Sequence, residues 1–559
     1  MSPSVPVGEL RRLGDRALLI GVADAAAARE LAGELTATLG GAAEVVCGSA
    51  TVMVHASDPE TELSSMAAVV EAVCAEPPRR GPSDRGEARG RLVTIPCRFD
   101  GPDLDEVAAL AGCRPDDVVA LLTAGPLTAT VMGFSPGFAY LEGLPSPLNR
   151  VPRRPRPRPA VPAGSVAIAN GQAAVYPTAS PGGWHLIGRT GFSLFSAASP
   201  PYAVLAPGDR VHFTVAGAGE RVEPDAVVPP AWSLPPGVRT VFEVAAAGLR
   251  AVVQDGGRRG VAAVGVPAAG PADPVSFELA NRVAGNAARA GTLELTGGGT
   301  RLRCLSACHA AVVGGAPEVR VDGSPAPAGH LLPLAAGQVL DIGRQRGGCR
   351  SYVSVAGGFL GPEWFGSGAS DELTGLGAGP LTAGAVLHAG AWTPPLGDHL
   401  LAGWATDVDP SSPVELRVVP GPHAEQFDGD ALARLGAADF VVAPASNRVG
   451  LRLRATPGAP ALRSGPGGGA LDSQGVVTGA VQVPPDGDPV VLMPDHATLG
   501  GYPVVAVVAS ADHGRLGQCA PGTRVRLVPV TPDDADEARR ALRRELARAV
   551  AGPYPLAVD

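Results

Sequence analysis

Three short runs hold the residue types best suited to chemistry. Ser180-Pro181-Gly182-Gly183-Trp184-His185 sets two glycines before a tryptophan and a histidine. Glycine lets backbone N–H groups come close to a ligand, and an indole can wall a small flat substrate. Arg189, further along that run, is an anion-contact candidate, with a rim salt bridge as the alternative. Gln254-Asp255-Gly256-Gly257-Arg258 joins a carboxylate, a flexible turn and a guanidinium. Asp495-His496 precedes a second glycine pair and aromatic, Gly500-Gly501-Tyr502. Asp495, His496, His185 and Asp255 are the candidates for proton transfer. Gly182, Gly183, Trp184, Arg189, Gln254, Arg258, Gly500, Gly501 and Tyr502 are candidates for substrate or nucleotide contacts. Plainer readings stand beside these. They are a tight turn around a core tryptophan, a β-turn closed by an Asp255–Arg258 pair, and a surface His185 facing away from Trp184.

The sequence around these runs repeats. Gly479 opens GAVQVPPDGDPVVLMP, which answers Gly164 and GSVAIANGQAAVYP. Gly500-Gly501-Tyr502 answers Gly182-Gly183-Trp184, and Ala520-Pro521-Gly522 with Arg524-Val525 answers Ala206-Pro207-Gly208 with Arg210-Val211. Gly450–Leu453 stands where Gly137–Tyr140 stands in the first copy. Blocks in one order at nearly equal spacing imply two related β domains, one near each end. Residues 9–88 read as a small α/β unit, with strands at Leu18–Ile20 and Val52–Val54 and helices at Ala25–Leu39 and Glu62–Ala75. Asp103 is read as the cap of one short helix, and Pro115 opens another. Asp273–Gly285 reads as an amphipathic helix capped by Asp273, with Asn281 and Asn286 tying loops. Thr531 caps a last helix whose charges are expected to pair along its own length.

The expected fold is mainly β, with an α+β N-terminal lobe and tandem barrel domains. Its divisions are residues 1–88, 89–220, a linker at 221–239, then 240–405, 406–530 and a helical tail at 531–559. The chain has 559 residues, 75 of them glycine and 57 proline, a composition of short strands and tight turns. A net charge of −9 argues against a nucleic-acid partner. Neither a signal peptide nor an apolar span is expected, and the eight cysteines lack CxxC spacing, so a cytoplasmic location with reduced thiols is the expectation. Cys304, Cys308 and His309 read as strand and turn residues, and no metal site is expected. All 45 basic residues are arginine. Without lysine this sequence carries no biotinyl-lysine, Schiff base or Walker-type loop.

Residues 98–213 resemble the B-type component of prokaryotic 5-oxoprolinase, the kinase-inhibitor-like or allophanate hydrolase subunit 1 family. The resemblance lies in DGPDLDEVA, MGFSPGFAYL, VPAGSVAIANGQ, YPTASPGGWHLIGRT and APGDRVHF. Residues 241–528 resemble the C-type component, the allophanate hydrolase subunit 2 family, through VVQDGGRRG, GPADPVSFELANRVAGN, YVSVAGGF, SNRVGLRL, DSQGVVTGAVQVPPDGDPVVLMPDH and GGYP. The same pair forms the carboxyltransferase region of urea carboxylase. The resemblance implies a B–C fusion with cyclophilin-like barrels, opening 5-oxo-L-proline to L-glutamate with ATP, and Mg2+ beside it. It implies a separate A-type 5-oxoprolinase component as partner and a small-molecule substrate, and leaves open whether copies of the chain assemble. It also makes Asn170 and Gln172, otherwise a hairpin turn, part of a site loop, and adds Arg448 and Gln482 as ligand contacts. The chain departs from the family at Leu122, Ala173, Asn447, Gln474, His496 and Ala497. Two other activities fit the resemblance: carboxyl transfer from biotin on another chain, and inhibition of a sensor kinase.

Overall fold

The computed structural model describes residues 8–75, 90–156, 158–198, 200–217, 221, 232–392, 400–401, 411–427, 430–456, 462 and 471–551. Most of the expected linker, residues 222–231, lies outside them. At the N-terminus, strands Leu10–Leu13, Ala17–Gly21, Ala43–Cys47 and Thr51–Ala56 form one antiparallel sheet. Helices Ala25–Leu39 and Leu63–Ala75 cover one face, and the Asp24 carboxylate caps the first by accepting from Ala26 and Ala27 N–H. Side chains alternate across the sheet. Leu18 and Ile20 pack under the helices, while Leu19 and Met53 face the two barrels.

The repeat read in the sequence is a repeat of topology. In the first barrel the strand order is His185–Arg189, Ser165–Ala169, Gln172–Val175, Ala139–Glu142, Leu127–Met132, Arg210–Val215, Leu92–Cys97. In the second it is Val504–Val508, Ala480–Gln482, Val490–Leu492, Gly450–Ala455, Asp439–Val442, Arg524–Pro529, Val414–Pro420. The orders correspond strand for strand, and in both the last two strands are parallel. The second barrel closes through Val414–Pro420 and Val504–Val508. The first closes through the bridge between Arg98 and Arg189 and through Gly101 N–H on the Ile187 carbonyl. Each barrel also carries a two-stranded flap, Arg158–Val161 with Ser180–Gly182, and Gln474–Gly475 with Leu499–Gly500.

Between the barrels in sequence lies a sandwich of a seven-stranded and a five-stranded sheet. Cys304 and Cys308 sit in its core with sulfurs 3.6 Å apart, as small apolar residues would, and His309 stacks on Trp392. Helix Pro274–Val283 packs on it, with the Asp273 carboxylate accepting from Ser276 N–H at 2.9 Å. Asn281 and Asn286 tie the following loops to Ala290 and Val355 carbonyls, as expected. The last helix, Pro532–Arg548, starts in a capping box between Thr531 and Asp534. Its charges pair along the helix at Glu537 with Arg540 and Arg544, but also across it. Arg543 reaches Glu60 and Glu278, Arg539 reaches Glu62, and Asp536 holds Arg12. The helix therefore clasps the N-terminal lobe to the C-terminal half.

Candidate functional site

The first glycine–aromatic element sits where the barrels meet. Trp184, Tyr140, Phe138 and Tyr176 pack edge to face and share a core cluster with Val476 and Leu499 of the second barrel. A Cβ on Gly133 would lie 2.3 Å from Leu499, so only glycine admits this contact. Both glycine–aromatic elements therefore border one interface, but their aromatics differ: Trp184 is buried, whereas Tyr502 is exposed.

Next to Trp184, the first flap collects charge. Asp103, expected to cap its helix, makes no side-chain cap bond there. Its carboxylate accepts instead from Leu186 N–H at 2.7 Å, Arg158 at 2.7 Å and Arg154 at 2.9 Å. Burial pushes its pKa up, but Arg158 and the Leu186 N–H outweigh that and hold the carboxyl below its ordinary value. His185 does face away from Trp184, yet it is buried rather than on the surface, because helix Leu104–Ala111 covers that side. Neither of its nitrogens makes a hydrogen bond, Glu106 being 3.7 Å away. Arg154 Nε, Arg158 Nη1 and the Ser180 hydroxyl are also buried without partners among the described residues. Arg189 forms the rim ion pair, with Asp100 at 2.8 Å. Asn170 and Gly171 make a hairpin turn, both at positive φ, and Gln172 donates to Glu142.

The second flap has the same geometry and other chemistry. Gly182 pairs with Arg158, and Gly500 pairs with Gln474. Where Asp103 holds Leu186, His423 holds Val504: its N–H donates to the Val504 carbonyl, and its Nδ1 accepts from Val504 N–H at 3.0 Å. Where Arg158 meets Asp103, Gln474 meets His423 at 3.4 Å. Gln482 lies beneath Gly500, and a Cβ there would come within 2.4 Å of its side-chain nitrogen. His423 and Gln474 are not among the expected site residues, since positions rather than residue types are repeated.

The third group is a buried charge network between the sandwich and the second barrel. Arg448 binds both oxygens of Asp495 at 2.9 Å and reaches Glu294 at 2.6 Å. Asp495 and Glu294 keep Arg448 protonated against burial, and Arg448 and Arg350 keep Glu294 ionised in the same way. Asp495 also accepts from Glu372 N–H, so its oxygens are committed. His496 turns from it to the Ala497 carbonyl, and burial lowers its pKa. The Asp255–Arg258 pair of the plainer reading does not form. Asp255 accepts from Ser367, Gly368 and Gly257, while Arg258 lies 3.5 Å from Asp371 and donates to the Ala369 carbonyl. Gln254, fully buried, donates to the Ser370 carbonyl. Burial, then the charge of Asp495, raises the Asp371 pKa to about 6. Among the described residues, no group of three or more His, Cys, Asp or Glu is placed to hold a metal ion.

Residues 9–205 match the family described as carboxyltransferase domain, subdomain C and D, and residues 264–529 match subdomain A and B of the same domain. The C-type component of 5-oxoprolinase from Escherichia coli (strain K12) is 32% identical over 300 residues, 52% of this chain and 92% of that protein. The chain belongs to this family of 5-oxoprolinase components and carboxyltransferase domains. The B-type component from Bacillus subtilis (strain 168) is 43% identical over 130 residues, which span 23% of this chain and 54% of that relative. The solved structure of TTHA0988 superposes with a TM-score of 0.79 at 32% identity, covering 92% of this chain and 99% of that one. Membership in the family explains the two barrels: the match over residues 9–205 ends in the first and the match over residues 264–529 contains the second.

Proposed function

We propose that the chain is a B–C component of an ATP-dependent 5-oxoprolinase, opening 5-oxo-L-proline to L-glutamate with a separate A-type component. The observation that carries this reading is that the chain is similar to both a B-type and a C-type component, while its two family matches, residues 9–205 and 264–529, follow one another in the sequence. A lactam resists water because its amide is resonance-stabilised. Phosphorylation of the amide oxygen by ATP, with Mg2+ on the phosphates, makes the carbon open to attack. Such a site needs cationic and N–H donors for carboxylate and phosphate and a group that moves a proton. The first flap supports the donor part, through the unpartnered arms of Arg154 and Arg158 and the buried His185. The eight free thiols support a cytoplasmic location, and no helix of the described residues is long and apolar enough to cross a membrane. The test supplies the chain and a candidate A-type component with 5-oxoproline and ATP and follows glutamate.

The family description favours one other reading, carboxyl transfer from a carboxybiotin carrier on another chain. Carboxyl transfer without any glutamate release would replace the first reading with the second.

A further inference from the structure

We propose that the arginine-rich rim of the first flap, Arg150, Arg153 and Arg156, is a docking surface for an acidic segment of a partner protein. The rim has this role whether or not the chain opens a lactam. No aspartate or glutamate occurs between Glu142 and Asp209, whereas Arg150, Arg153, Arg154, Arg156, Arg158 and Arg189 all fall there. The chain as a whole carries a net charge of −9, so cations are concentrated at one place on an anionic molecule.

The arginines divide by what their guanidinium groups meet. Arg154 and Arg158 turn inward to Asp103, and Arg189 pairs with Asp100. Arg150, Arg153 and Arg156 are exposed, and their side chains have no ion pair or hydrogen bond among the described residues. Exposed arginines elsewhere find a carboxylate: Arg114 meets Asp117, Arg346 meets Glu318 and Arg544 meets Glu537.

The backbone that carries the rim is held in place. Asn170 N–H donates to the Val151 carbonyl at 2.7 Å, Arg153 N–H to the Asn170 side chain at 3.2 Å, and Arg154 N–H to the Gly183 carbonyl at 2.9 Å. Pro152 and Pro155 restrict the chain around these ties. Binding therefore has to order the arginine side chains and little of the backbone. The Cα atoms of Arg150 and Arg156 are at most about 22 Å apart, a span that roughly seven extended residues of a partner cover. Carboxylates along such a segment match the planar forks of the three guanidinium groups. Single-stranded nucleic acid would also need exposed aromatic faces for its bases, and the rings beside Arg153, Tyr140 and Tyr176, are buried. Exposed ion pairs are individually weak, so the rim steers association and sets register more than it adds affinity.

The test is fluorescence anisotropy on the whole chain with labelled octaglutamate and, in a parallel arm, labelled octathymidylate. The expected result is saturable peptide binding at low salt that weakens about tenfold as salt rises to physiological strength. Replacing the rim together, by Arg150→Gln, Arg153→Gln and Arg156→Gln, should weaken binding at low salt about tenfold. Removing the same charge from the outer face of the sandwich, by Arg301→Gln, Arg320→Gln and Arg344→Gln, should leave binding unchanged. Arg153→Gln alone, with an expected loss of about threefold, keeps the test open if the triple rim variant fails to fold. Absence of peptide binding at low salt, or wild-type binding by the rim variants, overturns the proposal. An equal loss in the two triple variants, or tighter binding of octathymidylate than of octaglutamate, overturns it as well.

Discussion

Asp371 is a carboxyl that the fold prefers to keep protonated. Its hydroxyl and N–H donors from Thr374 and Leu373 do not offset burial and the nearby Asp495 charge, and its pKa rises to about 6. A raised carboxyl pKa contributes stability that is fully present below the unfolded value, near 4, and is lost as pH rises through 6. The Asp371→Asn variant escapes that loss. Its stability relative to wild type should therefore grow by about 2 kcal/mol between pH 4 and pH 7, at up to about 1.4 kcal/mol per unit. Urea unfolding at both pH values measures it, and a constant difference would refute it. Arg448 makes the opposite case, because Asp495 and Glu294 remain buried when it is removed. Arg448→Ala should cost about 3–5 kcal/mol in the same measurement. Neither residue's setting is visible in the sequence. Asp495 and Arg448 read there as ligand-facing, but they meet each other across 47 positions and Arg448 meets Glu294 across 154. No spacing rule spans such separations. His185 shows a narrower limit: alternation separates it correctly from Trp184, but cannot tell that a helix covers the second face.

At the scale of elements, the helices that carry their own end signals are the legible ones. Ala25–Leu39 and the helix after Thr531 begin where their polar caps and prolines place them. Asp103 fails as a cap because three donors from the flap and its neighbouring strand compete for its oxygens. The barrels are legible as a repeat because turns need particular residues. Gly164 and Gly479 adopt φ of 78° and 86°, and Gly208 and Gly522 adopt 99° and 89°, which restricts side chains at all four places. The flap residues answer to no such turn, so Arg158 and Gln474 share a place without sharing chemistry. Two predictions belong here. Thr531→Ala should lose about 1 kcal/mol through the last helix's first turn, read by urea unfolding. Leu499→Ala, at the contact with Gly133, should lose roughly 2–5 kcal/mol, and hydrogen exchange should rise at both flaps. Exchange confined to the second flap would show that the barrels do not depend on each other.

At the scale of the molecule, the N-terminal lobe meets the second barrel where Asp15 accepts from Ser510, and histidines near that contact resist protonation. His55 is pushed to about 3, first by burial and then by Arg16. The pKa of His513 is lowered by burial as well. A histidine whose folded pKa lies below its unfolded value contributes stability above about pH 6.5 that is lost as pH falls. Acid should therefore destabilise the whole chain by about 1.4 kcal/mol per unit for each such group, against the trend from Asp371. His55→Gln should flatten that fall between pH 7 and pH 5, and an unchanged slope would assign the acid effect elsewhere.

The clasp of the last helix on the first lobe has a consequence for gene order. Arg12 and Asp536 lie 3.1 Å apart although 524 positions separate them, so the first described strand and the last helix are neighbours. A circular permutant that opens between residues 221 and 232 and joins the old ends by a flexible connector would place the C-like half first. It should fold to the same structure, because every contact between the halves survives the change. Which half is translated first is then a matter of ancestry and not of architecture.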